Sequence, residues 1–576
     1  MKNIQEIKNE MDQYSRAMVE ELQISKEVFI AYSVYIFTYF LEQKLNREKA
    51  QNNDLINELQ NGLCALEVLL LWSDYLKSSD SEEDLPEYIA PSLFRKLFKL
   101  YDKAEDYSII TEAFMTTTAK TFTHITVNGN NVSASPKTED TDYLRELASR
   151  SLMNEKSYRR FGKYESKWND IARNNIEYHI KEIDAIADIM NEKLADMRQK
   201  YFSAFFHNQI YPNEILFKEL YEFYKEKNTD QCIFDVNTDL NGFTISDYFC
   251  VLSAIQALAT NNYSKCYALY NSEEMQPFLH FDIGRYFGFP NPNNAIHQLG
   301  YWSIIADERE FSERLSTLTG LKIETVNKTL DFLTYDAHSD TPHLSENLII
   351  PVGKKVVIPP FIIPLLNVAG MLQSKISAYD INLYLQLMKT FSEEEIRQIE
   401  DEFNVFDNFS IKDSIVLKEN GNDVTDIDIM VYDKIHHKLL IIEHKANRIP
   451  HIEKMHYIDR VFQYAEKQLY RVKNYINAHR DAFFSDHKIA IDTEVSYCIL
   501  SIDNLGSSMS NVTIPIITTD KMIELIRKSN GTLSHIIREI NDESYMKKVD
   551  TSAYYVEQNT YEYAGYTFTY NALKFH

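Results

Sequence analysis

The fold of the C-terminal part of this 576-residue chain is decided by residues 426–445, DIDIMVYDKIHHKLLIIEHK. Two runs rich in Ile, Val and Leu, a composition typical of β-strands, flank six residues that are compatible with a turn, 433–438. The pattern predicts an antiparallel hairpin in which Tyr432 faces Leu439.

In this register Asp428 lies directly opposite Glu443, and Asp426 lies opposite Lys445. Because successive side chains of a strand point to opposite faces of the sheet, these four residues share one face of the hairpin. The other face is predicted to carry the apolar residues Ile427, Ile429, Leu440 and Ile442.

Two carboxylates opposite one another, with Cβ atoms about 5 Å apart, destabilise a sheet unless something compensates their charge. Mg²⁺ does this well, because it binds through one or two carboxylates and completes its shell with water and phosphate oxygens. Lys445 would then orient or help to deprotonate an attacking water. The set predicts phosphodiester hydrolysis. The alternative is an Asp426–Lys445 salt bridge on a solvated face, with Asp428 and Glu443 merely exposed.

The runs IDIMVYD and LLIIEHK together resemble the core of the restriction-endonuclease-like (PD-(D/E)xK) nucleases. The helix predicted next contains AEKQLYRVKNY, similar to the Gln- and Tyr-bearing helix of the exonuclease-like branches. The resemblance implies that Asp428 and Glu443 hold Mg²⁺ or Mn²⁺, that Lys445 serves the water, and that Gln468 supports the site. It covers about residues 380–530, roughly a quarter of the chain.

In that family an upstream helix often supplies one more acid, and Glu395 is our choice over Glu400 as a further metal ligand. Two features depart from the family pattern. No Pro precedes Asp428, and His444 fills the variable position of the motif.

A basic island surrounds this motif in an acidic protein. The segment from Lys434 to Lys488 carries 11 Lys and Arg against 6 Asp and Glu, a net +5, whereas the whole chain carries −25. Such an island beside a metal site would contact phosphates. We predict nucleic acid as the partner, DNA rather than RNA, with Arg448, Arg471 and Lys473 as contacts; a solvated helix face is the alternative for any one of them.

Four regions are predicted along the chain: a helical region at 1–230, a mixed region of helices and short strands at 231–378, the nuclease-like α/β domain at 379–530, and a β-hairpin tail at 531–576. The expected class is therefore a multidomain α+β protein with a mainly α-helical N-terminal region. Within that region, residues 123–141 are rich in turn-forming residues and are expected to be a long exposed loop.

An apolar seam with steps of 4,3,4,3,4,3 predicts a long helix in the first region, at Ile176, Ile180, Ile183, Ala187, Met190, Leu194 and Met197. We interpret it as a hairpin packed within the chain. The alternative is a contact with a second copy or a regulatory partner.

Composition excludes several classes of protein. With 44% hydrophobic and 25% charged residues the chain is not disordered as a whole, and −25 gives no overall attraction to nucleic acid or anionic lipid. Its five cysteines are scattered and its N-terminus is charged, so a reducing cytoplasm is expected. The longest uncharged apolar stretch, 28–41, has 14 residues against the roughly 20 that span a bilayer, so we predict a buried helix and no membrane contact.

The expected function is that of a Mg²⁺-dependent nuclease, with a role in defence against phage as an analogy at the level of the fold. The alternative is a non-catalytic nucleic-acid-binding or scaffold protein with a degenerate nuclease fold.

Overall fold

The computed structural model describes residues 2–47, 52–78, 91–115, 123–136, 164, 166–185, 209–271, 303–337, 343–344, 347–359, 363, 368–419, 421–446, 455–501, 512–542 and 554–575. The helices are α1 Ile4–Glu20, α2 Lys26–Arg47, α3 Asn52–Trp72, α4 Pro91–Phe114, α5 Glu214–Asp230, α6 Ile245–Asn271, α7 Glu308–Thr319, α8 Ile323–Leu333, α9 Val368–Tyr379, α10 Ile381–Asn404, α11 Met455–Ala478, α12 Arg480–His487, α13 Thr519–Lys528 and α14 Leu533–Asn541. Residues 166–185 are also helical.

The strands are β1 Thr123–Asn128, β2 Asn131–Pro136, β3 Ile304–Asp307, β4 Ile350–Val352, β5 Lys355–Ile358, β6 Phe409–Glu419, β7 Asn422–Asp433, β8 Lys438–Lys445, β9 Glu494–Ser501, β10 Ile516–Thr518, β11 Tyr554–Tyr563 and β12 Tyr566–Phe575. They form three sheets, in the orders β1-β2-β12-β11, β10-β9-β8-β7-β6 and β3-β5-β4. The chain is thus a mixed α/β protein.

Helices α1 to α9 and the sheet β3-β5-β4 share one hydrophobic core. This core crosses the predicted boundary at residue 230, because α5 and α6 pack against each other and Asn228 on α5 donates to Ser253 and Gln256 on α6. Residues 1–230 and 231–378 are therefore not separated by their packing. The stretch 28–41 lies in α2, where Phe29, Val34 and Phe37 are fully buried, as predicted.

In the described residues no helix is both long enough and apolar enough to cross a membrane. The helical seam is described only as far as residue 185. There Ile180 and Ile183 pack into the shared core, which agrees with packing inside the chain for these two positions. Ala187, Met190, Leu194 and Met197 lie outside the described residues.

Residues 123–136, expected to be part of an exposed loop, form the β1–β2 hairpin instead. The two-residue turn Gly129-Asn130, with φ of 61° at Gly129, connects the strands. Val132 is buried because β2 also pairs, in parallel, with β12 from the far end of the chain. This partner strand is more than 400 residues away, which is why the local composition indicated only turns.

The predicted C-terminal hairpin is present as β11 and β12, which are longer than the aromatic stretch at 561–570 indicated. It packs on the N-terminal helices: Tyr563 shares a 2.7 Å hydrogen bond with Ser15, and Phe568 contacts Phe114 edge to face. The tail is therefore part of the N-terminal body.

The five-stranded sheet begins with the antiparallel meander β6–β7–β8, after which α11 returns the chain so that β9 runs parallel to β8. Both faces are covered, one by α11 and α12, the other by α10, α13 and α14. Helix α14, which the sequence assigned to the tail, belongs here because Leu533, Ile536 and Ile540 are buried in this core. The two strands of the predicted hairpin and the helix predicted to follow them are confirmed as β7, β8 and α11.

Candidate active site

The β7–β8 hairpin has the predicted register. Tyr432 pairs with Leu439 and Ile429 with Ile442, so Asp428 and Glu443 are the next positions along the two strands. The ladder is regular because alternating apolar residues fill cores on both faces of the sheet.

The face assignment holds for three of the four predicted apolar residues, Ile429, Leu440 and Ile442, which pack towards α10. Ile427 was placed wrongly, since it packs in the core beneath α11. The β6–β7 ladder is interrupted next to it: Ser414 has φ of 50° and does not pair with Asp428, while Asp413 and Ile415 pair regularly. Strict alternation fails at such an irregularity.

Glu443 is the most deeply buried acid of the candidate site, with 1% of its surface exposed. Its Oε1 accepts a 2.5 Å hydrogen bond from Nζ of Lys445, and the same Nζ donates to Oε1 of Gln468 on α11 at 3.0 Å. Lys445 thus bridges strand and helix rather than forming the alternative salt bridge with Asp426.

The carboxylates of Asp428 and Glu443 interact unfavourably when both are ionised. Burial, followed by the charge of Asp428, raises the pKa of Glu443 to about 7, against the opposing effect of Lys445. Burial also raises the pKa of Asp428, although the backbone N–H of His444 donates to its Oδ2 at 2.7 Å. A single ammonium group leaves part of the charge of two neighbouring carboxylates uncompensated.

On the opposite side of β8 the side chain of His444 points towards α10. Its Nε2 lies 2.9 Å from Oε2 of Glu395, and its Nδ1 lies 2.8 Å from Oγ of Ser392. Both ring nitrogens therefore have partners, and His444 and Glu395 are 5% and 8% exposed. Among the described contacts, Glu395 is linked to Asp428 only indirectly. It contacts the ring of His444, and the backbone N–H of His444 donates to Asp428.

The predicted metal set is consequently not brought together as three acids. Asp428 and Glu443 lie near each other, whereas Glu395 contacts His444 on the other face of β8. Over the described ranges, no three or more His, Cys, Asp or Glu side chains are grouped to hold a metal ion. Two carboxylates fit Mg²⁺, which takes its other ligands from water and phosphate, and the raised pKa values show that the pair favours added positive charge.

Helix α11 has a buried stripe that anchors it to the sheet, formed by Phe462, Ala465, Leu469, Val472 and Ile476. Gln468 lies beside this stripe, and Arg471 lies three residues further along the same side of the helix, exposed. Lys473 is also exposed but shares the other side with Glu466, which accepts hydrogen bonds from Thr513. The structure therefore separates two residues that the sequence grouped as phosphate contacts. Arg448 lies outside the described residues.

Sequence reasoning missed Ser392 and treated His444 only as a departure from a pattern. The period of two along a strand places His444 on the face opposite Glu443. What it contacts there depends on α10, which no local pattern in the hairpin reveals.

Comparisons of the chain with protein-family models, with curated proteins and with solved structures gave no match.

Proposed function

We propose that the protein is a metal-dependent nuclease that hydrolyses phosphodiester bonds of nucleic acid, DNA in preference to RNA, at Asp428, Glu443 and Lys445. One observation carries the proposal: a carboxylate with 1% exposure lies beside a second carboxylate, and its pKa is raised to about 7. Such a conflict is costly to a fold and is typical of functional sites. The resemblance to the PD-(D/E)xK core supports the same assignment.

In this proposal each side chain has a distinct task. Asp428 and Glu443 supply the oxygen ligands for Mg²⁺ or Mn²⁺. The bound ion would stabilise negative charge on the phosphate and lower the pKa of a coordinated water. Lys445, held by Gln468 at 3.0 Å, donates hydrogen bonds that orient the water for attack on phosphorus, and the oxygen of the adjoining nucleotide leaves.

The wider role is part of the same proposal. A nuclease joined to a large helical body suits a cytoplasmic enzyme that acts against phage DNA and is regulated through that body, by a second copy or by another partner. This step is an analogy at the level of the fold.

The test is cleavage of plasmid, linear and single-stranded DNA and of RNA by the full-length protein with Mg²⁺ or Mn²⁺, with an EDTA control. The variants Asp428→Ala, Glu443→Ala and Lys445→Ala, checked for folding by circular dichroism, are assayed beside it. We expect cleavage by the parent protein only, and only with the divalent ion.

Divalent-ion binding by calorimetry separates the remaining outcomes. No cleavage, with ion binding unchanged in Asp428→Ala and Glu443→Ala, would reject the nuclease and favour the non-catalytic scaffold. No cleavage with ion binding lost in both variants would keep the metal site and indicate that an activator is missing from the assay.

A further inference from the structure

An exposed aromatic ring lies at the edge of the candidate site. Tyr464, on α11, is 54% exposed, and its ring centroid is 5.8 Å from Nζ of Lys445. Tyr464 precedes Gln468 by four residues, one helical turn, so the ring and the amide that holds Lys445 lie on the same side of α11. Exposing this aromatic surface to water is unfavourable, and neither the strand register nor the packing of the sheet requires an aromatic residue at this position.

Cations line the same side of the helix. Arg460 precedes Tyr464 by four residues, and Lys467 and Arg471 follow it by three and seven, so all three lie on the same side of α11 as the ring. All three are exposed, and within the described part of the chain none forms an ion pair. The protein has a net charge of −25, so a row of three cations that form no ion pair among the described residues, on the same side of the helix as one tyrosine, indicates a separate anionic ligand.

The other side of α11 provides an internal contrast. Tyr470 is 40% exposed, but its hydroxyl shares a 2.7 Å hydrogen bond with Thr513, and Glu466 binds the same residue. Tyr470 is thus held by a hydrogen bond on its side of the helix, whereas among the described residues Tyr464 has a ring contact only with Lys445 and forms no hydrogen bond. Of the two exposed tyrosines on α11, Tyr464 is therefore the one whose ring is better placed to bind a ligand.

We propose that Tyr464 is a stacking platform for an unpaired base next to the phosphate that lies at Lys445, and that the ligand of this site is single-stranded nucleic acid. An aromatic face and a row of cations are the two elements by which proteins hold single strands, the ring on the base and the cations on the backbone. The face of a base is covered by its neighbours inside a duplex, so a ring beside the scissile phosphate favours a strand whose bases are free. The inference rests on the proposed function, since it places the reacting phosphate at Lys445.

The test uses the full-length protein carrying Glu443→Gln, so that bound strands are not cut. Binding of a single-stranded DNA oligonucleotide, an RNA of the same sequence and the matched DNA duplex is measured by fluorescence anisotropy, with 2-aminopurine at successive positions to report stacking. Tyr464→Ala, Tyr464→Phe and the control Tyr470→Ala are made in that background. The DNA and RNA strands identify which sugar the site prefers.

Tyr464→Ala should weaken single-strand binding by about five- to a hundredfold and abolish the quenching of 2-aminopurine at one position. Tyr464→Phe should keep both, and Tyr470→Ala should bind as the parent does. Equal losses in Tyr464→Ala and Tyr470→Ala, dependence of duplex binding on Tyr464 to the same degree, or no single-strand binding at all would each overturn the inference.

Cleavage by the protein with Glu443 intact separates this inference from the proposed function. Tyr464-dependent binding without cleavage would retain the stacking site and count against hydrolysis. Cleavage that is as fast in Tyr464→Ala as in the parent would retain the nuclease and reject the platform.

Discussion

The two faces of strand β8 carry buried charged or polar groups of the same kinds, yet they differ in how those groups are satisfied. On the face towards α10, both ring nitrogens of His444 have partners, Glu395 at 2.9 Å and Ser392 at 2.8 Å. On the face towards α11, Glu443 has one cation, Lys445, and a carboxylate neighbour, Asp428, that raises its pKa.

The difference separates a structural network from a candidate reaction site. A buried polar group with its hydrogen bonds made stabilises one arrangement of the chain, as His444 does between β8 and α10. A raised pKa means that the fold disfavours the ionised form of a buried carboxylate. Added positive charge, such as a bound cation, stabilises that ionised form. Two successive residues of β8, Glu443 and His444, thus have different roles, and each role can be tested separately.

The largest expected effect is on the α11 face. Glu443→Gln keeps the shape of the side chain but removes the anionic ligand, so divalent-ion binding and cleavage should both fall, cleavage by at least about 100-fold. Calorimetry and a cleavage assay measure the two. Because the substitution also removes a poorly compensated buried charge, the thermal midpoint should stay the same or rise. Full activity with a lowered midpoint would contradict the assignment.

The second effect is on stability as a function of pH, in EDTA. The ordinary pKa of Glu443 is 4.5 and the folded value is about 7, so the folded protein binds this proton more tightly than the unfolded chain does. The contribution of Glu443 is therefore present below about pH 4.5 and is lost as pH rises to about 7, by up to about 3 kcal/mol. Hydrogen exchange of peptides from β7 and β8, compared between the parent protein and Glu443→Gln, measures it. The same pH slope in both proteins would show that another group is responsible.

The third effect is on the α10 face. Glu395→Ala leaves Nε2 of His444 buried without its partner and should cost about 1–3 kcal/mol of stability, while Glu395→Gln can still hydrogen bond and should restore most of it. Activity should fall by about tenfold in the alanine variant, because His444 positions Asp428 through its backbone N–H. Divalent-ion affinity by calorimetry decides the role: a loss in Glu395→Gln as large as in Glu443→Gln would restore Glu395 as a ligand.

The smallest effect compares two sides of α11. Arg471 lies on the side of Gln468, so Arg471→Ala should reduce the slope of log binding constant against log salt by about 0.7 for a single strand. Lys473, on the side of Glu466, should change this slope less. The titration is carried out with Lys473→Ala as the matched variant. A larger change of the salt slope in Lys473→Ala than in Arg471→Ala would indicate that the nucleic acid binds on the Glu466 side of α11, contrary to the proposal.

Much of the candidate site could be predicted because it is local. The composition of two strand runs and a turn of six residues set the register, and the register places Asp428 near Glu443. The helix at 455–478 is also visible in its own stretch of sequence, and Gln468 on it was assigned through the resemblance to the nuclease family. Each of these inferences involves residues that are close in sequence, where periodicity determines direction.

The errors share one physical origin, which is contact between distant segments. The β1–β2 hairpin looked like a loop because its partner β12 lies at the far end of the chain. Ile427 changed its face at an irregularity opposite Ser414 on β6. The assignment of Glu395 to the metal site stays a prediction, and in the structure its carboxylate lies against His444, a contact that the sequence did not reveal.

The sequence by itself determined the β7–β8 hairpin, its charged face and the order of helices and strands around it, because hydrophobic period and turn composition act between neighbours in the chain. Only the tertiary structure decided that Glu443 is nearly fully buried, that Lys445 is held by Gln468, that Glu395 faces His444, and that Tyr464 lies exposed at the edge of the site. Burial and partner choice depend on which helices cover each face of the sheet, and that depends on packing across the whole domain rather than on any local pattern.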